Sequence, residues 1–78
     1  MRILFTSAGR RVSLLRAFRQ VLQERCEESV LVAADLSELS AASFEADDSF
    51  QCPSIDDPSY PLFVLREAER RQIQLVVP

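Results

Sequence analysis

The apolar residues of this chain change their period several times within 78 residues, and that alternation restricts the fold more than any other feature. Arg2-Ile3-Leu4-Phe5-Thr6-Ser7 is a short apolar run ended by Ala8-Gly9, the pattern of a buried strand entering a turn. From Arg11 the spacing becomes helical, with Leu14, Leu15, Phe18, Val21 and Leu22 on one side and Arg16, Arg19, Gln20 and Gln23 on the other, to about Arg25. Val30-Leu31-Val32-Ala33-Ala34 is again continuous and β-branched, ending in Asp35, as expected of a central parallel strand covered on both faces. Leu36 to Ala46 permits one or two helical turns. Phe50 and Cys52 alternate within Asp48 to Pro53 and mark a short edge strand.

Asp56-Asp57-Pro58-Ser59-Tyr60-Pro61 reads as a helix start, since acids suit the positive helix end and proline suits the first turn. Pro61 places the N-cap at Ser59 or Tyr60 rather than Asp57. The helix runs through Leu62, Leu65, Arg66 and Glu69 to about Arg71, with Arg70 and Arg71 at its negative end. Ile73 and Leu75-Val76-Val77-Pro78 form a last strand. Strands alternating with helices make an α/β, Rossmann-like three-layer fold with a four-stranded parallel sheet, one domain over residues 1–78. If strands one, two and three step in one direction and strand four returns to the other side of strand one, the order is 3-2-1-4, and right-handed crossovers then place the helices. The first helix and the 36 to 46 segment then share one face, and the last helix stands alone on the other. Strand four is an apolar edge, which leads to the expectation that the chain is the front end of a longer polypeptide or self-associates as a homodimer.

Composition removes most chemistries. All nine cationic residues are Arg and no His is present, so a P-loop lysine, a Schiff base and an imidazole base are excluded. The net charge of −3 gives no footprint for nucleic acid or an anionic membrane. No stretch approaches the roughly 20 apolar residues of a membrane span, and the apolar start is too short for a signal peptide. Cys26 and Cys52 are far apart without a CxxC, so both are expected as free thiols in a reducing cytoplasm. Ser7 beside a small residue and Gly9 suggests a nucleophile, but no base accompanies it and no catalytic residue is assigned. Asp47-Asp48 and Asp56-Asp57 lack the companion ligands of a cation site, and helix capping accounts for the second pair, so no metal site is assigned.

Ligands of such sheets meet the carboxyl ends of the strands where the order reverses, here between strands one and four. The loop Thr6-Ser7-Ala8-Gly9-Arg10-Arg11 sits there. Gly9, a helix start and two guanidinium groups suit a carboxylate or phosphate; alternatively Gly9 serves only the turn and the arginines are solvated. Asp35 stands where a ribose-binding or substrate-binding acid would stand, or caps its own loop. Against GxGxxG, the residues Ser7-Ala8-Gly9-Arg10-Arg11-Val12 keep only the middle glycine.

The blocks Ile3-Leu4-Phe5-Thr6-Ser7-Ala8-Gly9-Arg10-Arg11-Val12, Val32-Ala33-Ala34-Asp35, Ala46-Asp47, Pro53, Asp56-Asp57-Pro58-Ser59-Tyr60 and Leu75-Val76-Val77-Pro78 occur in this order. Together they resemble the N-terminal, or pre-ATP-grasp, domain of ATP-grasp ligases, in the branch near the carbamoyl phosphate synthetase large subunit and the pyrrolysine-biosynthesis ligase. Pro61 departs from the family pattern. The resemblance implies a ligase that activates a carboxylate with ATP and magnesium as an acyl phosphate, which an amine or similar nucleophile then displaces. It implies that ATP and magnesium are held by other domains, and that this domain supplies one wall of the substrate site. Ser7, Gly9, Arg10 and Asp35 carry over as substrate-binding candidates, and the partners implied are a small carboxylate or amine and the ATP-grasp domain. Two other readings are a nucleotide-binding Rossmann fragment of a reductase or epimerase, disfavoured by the missing glycines, and a stand-alone interaction module, disfavoured by a thinly covered sheet face.

Overall fold

The computed structural model describes residues 1–8, 11–25, 28–36 and 45–78. Strands β1 (Arg2–Phe5), β2 (Val30–Asp35), β3 (Asp48–Gln51) and β4 (Leu75–Val77) alternate with helices α1 (Val12–Glu24) and α2 (Tyr60–Arg70). The sheet is parallel throughout, in the order β3-β2-β1-β4. The step from β1 to β2 and the step from β3 to β4 run in opposite directions, so right-handed crossovers place their helices on opposite faces. The expected turns within 36 to 46 lie mostly outside the described residues, as does Cys26.

The period-two alternation of the strands divides the core. On one face Ile3, Phe5, Leu31 and Ala33 meet Leu15, with Phe18 and Leu22 packed against them. Phe5 and Phe18 stack edge to face at 5.2 Å between ring centres. On the other face Leu4, Val32, Ala34, Phe50 and Cys52 meet Phe63, Val64 and Ala68 of α2. Leu62 and Leu65 do not join this face; both are more than half exposed. The reason is geometric: Tyr60, Phe63, Val64 and Ala68 follow one stripe of a 3.6-residue helix, and Leu62 and Leu65 lie outside it. No residue of α2 is fully buried, yet the strand residues beneath it, Leu4, Val32 and Ala34, are wholly covered.

Polar contacts fix the ends of these elements. Asp47 receives the Leu31 N–H on its carboxylate at 2.8 Å and donates its own N–H to the Leu31 carbonyl at 2.8 Å, while Arg19 approaches the same carboxylate at 3.3 Å. Asp48 pairs with Arg71, whose guanidinium also lies 4.5 Å over the Phe50 ring. Arg71 reaches Glu67 at 3.0 Å, and Arg2 donates to the Arg71 carbonyl, so one arginine ties the end of α2 to β3 and β1. Hydrogen bonds from Arg70 and then Arg71 hold the Glu67 carboxyl below the ordinary value for glutamate. At the start of α2, Ser59 is the N-cap, as Pro61 requires, but its hydroxyl makes no cap hydrogen bond to the helix. Instead Asp57 receives both the N–H and the hydroxyl of Ser59, at 2.8 and 2.7 Å, which lowers the Asp57 carboxyl from its usual range.

The α2 C-terminus closes in a Schellman motif: Ile73 N–H bonds the Ala68 carbonyl at 2.8 Å and Gln72 N–H bonds that of Glu69 at 3.1 Å. Gln72 occupies the left-handed position, φ 56°, usually given to glycine. Gln72→Gly is therefore expected to stabilise the fold by about 0.5–1 kcal/mol, and Gln72→Val to destabilise it. Thermal melts check this, since about 1 kcal/mol moves the midpoint of a domain this size by roughly 4–8 °C; a lower midpoint for the glycine variant would refute the assignment.

Candidate functional site

A cavity of about 270 Å³ opens at the carboxyl ends of β1, β2 and β3. Three loops and the first turn of α2 form it. Ser7 enters from the loop after β1, Asp35 and Leu36 from the end of β2, Cys52 to Ile55 from the segment after β3, and Tyr60 from α2. Its volume suits one end of a small molecule rather than a whole dinucleotide.

Local chemistry explains how each side chain is presented. Thr6 donates its N–H to the Val77 carbonyl at 3.1 Å, and Ala8 is fully buried, so the intervening Ser7 turns outward. Ser7 pays for this with a left-handed backbone, φ 52°, a conformation that a residue with a Cβ adopts only at a cost. The loop-capping role weighed for Asp35 is present, its carboxylate accepting the Leu36 N–H at 2.7 Å, and the residue also lines the cavity. Its carbonyl accepts the Cys52 N–H at 2.8 Å, and the Gln51 side-chain amide donates to the Leu36 carbonyl at 2.9 Å, which laces together the loops after β2 and β3. Burial, and then the nearby Asp35 charge, push the Cys52 thiol up, so it remains protonated at neutral pH. Cys52 is buried and free.

The structure thus brings Ser7 and Asp35 to one cavity, while Gly9 and Arg10 lie outside the described residues. The loop expected at the β1–β4 crevice includes Gly9 and Arg10, so that expectation lies outside the described residues; just before them the Thr6 N–H and hydroxyl both approach the Val77 carbonyl, the hydroxyl at 3.4 Å, continuing the β1–β4 pairing. Cys52, Ile55 and Tyr60 were not among the sequence candidates. Their signal was available in the rule that loops at the carboxyl ends of adjacent parallel strands converge, applied to strand three as well as to strand one.

The chain has no lysine, and among the described residues no group of three or more His, Cys, Asp or Glu side chains could hold a metal ion. Asp47, Asp48 and Asp57 are engaged in the structural contacts described above. Among the described residues, no helix is long and apolar enough to cross a membrane.

No curated protein matches the chain. A family model described as the PylC-like, N-terminal domain matches residues 3–78, nearly the whole sequence. The chain belongs to this family, the pre-ATP-grasp domain of the pyrrolysine-biosynthesis-ligase-like branch.

Proposed function

We propose that the chain is the N-terminal, substrate-side domain of an ATP-grasp ligase. That ligase joins a carboxylate to an amine or thiol through an acyl phosphate, in the cytoplasm. The observation that carries this reading is the family match across residues 3–78. The cavity at the strand ends supports it, because Ser7, Asp35 and Tyr60 offer polar contacts while none is arranged as a nucleophile with a base. ATP and magnesium, on this reading, belong to other domains of the ligase. Ser7 and Asp35 then bind and orient a small substrate, and Gly9 and Arg10 are candidates for the same role. A fixed wall contributes by positioning, which lowers the barrier for a reaction whose chemistry lies elsewhere.

The test combines calorimetry with turnover. The chain should release no ADP from magnesium-ATP, should form no hydroxamate when carboxylates and hydroxylamine are added, and should bind neither ATP nor NAD tightly. Micromolar NAD affinity, about 8 kcal/mol, would instead support a dinucleotide-binding fragment of a reductase or epimerase. ADP release by the chain alone would overturn its catalytic inertness.

A further inference from the structure

We propose that the cavity formed by Ser7, Asp35 and Tyr60 anchors the alkylammonium end of a substrate, an inference that rests on the substrate-side reading and adds which charged group this wall receives. Asp35 is the one charged residue among the described residues lining the cavity. Glu45, Asp47, Asp48 and Glu67 are each engaged by an arginine, whereas the Asp35 carboxylate is met by the Leu36 N–H. Residues that carry oxygen acceptors line the cavity from separate segments: Asp35 with its carboxylate, and Ser7 and Tyr60 with their hydroxyls. An ammonium group has three N–H donors and no acceptor, so it can use such a set fully. A carboxylate would meet Asp35 as a like charge. The Cys52 thiol, kept protonated by burial, adds no second negative charge.

Apolar residues of the lining suit the rest of such a ligand: Leu36 and Ile55, 58% and 67% exposed, and Pro53. An alkyl stem laid along these side chains would remove apolar surface from water on both partners. The bound nitrogen is an anchor rather than the attacking group, because a protonated amine has no lone pair with which to displace a phosphate.

The test titrates the ¹⁵N-labelled chain separately with n-butylammonium, butyrate and n-butanol at fixed ionic strength, and follows the amide resonances of Ser7, Leu36, Cys52 and Ile55. Butylammonium should shift these amides saturably and bind about tenfold or more tightly than the other two. Asp35→Asn, checked for a dispersed amide spectrum, should reduce it to the level of butanol. If that variant does not fold, the ranking of the three probes on the native chain still decides. Equal binding of butanol, or tighter binding of butyrate, would overturn the ammonium assignment while leaving the substrate wall intact. If none of the probes moves these amides, the cavity is not a ligand site and the substrate-side reading of it fails as well.

Discussion

Phe5→Ala should cost about 3–5 kcal/mol, the range for removing a fully buried phenylalanine. Phe5 is completely inaccessible in a central strand and stacks edge to face on Phe18 of α1. A chain of 78 residues has a stability of about 4–12 kcal/mol at the usual per-residue value. The loss is therefore comparable with everything that keeps a small domain folded, and the variant should be largely unfolded or melt far below the parent. Urea titration followed by far-UV circular dichroism measures the difference. Phe18→Ala, at a partly buried position, should cost less, and the double variant should reveal a coupling of about 0.5–1.5 kcal/mol between the rings. A loss below about 1 kcal/mol for Phe5→Ala would mean that the α1 face is not the packed core.

The architecture was legible because two physical rules act on a short chain. A change between continuous apolar runs and a 3.6-residue period separates strands from helices, and α1 accordingly occupies Val12–Glu24 within one residue of its expected ends. Strands one to three stepping one way, with strand four returning beside strand one, give the observed order, and crossover handedness then fixes which face each helix covers. The buried stripe of α2 was harder to read. Leu62 and Leu65 look like core residues by hydrophobicity, but the sheet beneath α2 is met by Phe63, Val64 and Ala68. Which stripe faces inward depends on where the helix begins, and Asp57 and Ser59 set that point through hydrogen bonds that composition does not specify.

The site divides in the same way. Ser7 and Asp35 each follow a strand, and strand ends are visible in the sequence. Cys52, Ile55 and Tyr60 join them only because β2 and β3 pair with Asp35 opposite Gln51. That register is a tertiary fact, fixed partly by the two hydrogen bonds between Asp47 and Leu31.

The free edge of β4 leads to the other large expected effect, concentration-dependent association of the chain on its own. β4 pairs with β1 along one side, and Leu75 and Val76 remain 42% and 43% exposed. Beside it, a cleft of about 350 Å³ runs between α1 and β4 over Ile3, Phe18 and Val21. An unprotected apolar edge next to an apolar cleft is a template for a second strand, and a second copy of β4 supplies one. With three residues per strand the dimer should be weak, with a dissociation constant of about 0.1 mM, or about 5.5 kcal/mol. Val76→Lys puts a charge on the edge, where the side chain can reach water, and should return the chain to a monomer with little change in melting temperature. Sedimentation velocity from about 0.01 to 1 mM, roughly tenfold either side of that constant, separates the outcomes. A parent chain that stays monomeric throughout would show that the exposed edge does not pair, and an equally associated lysine variant would place the contact elsewhere on the surface.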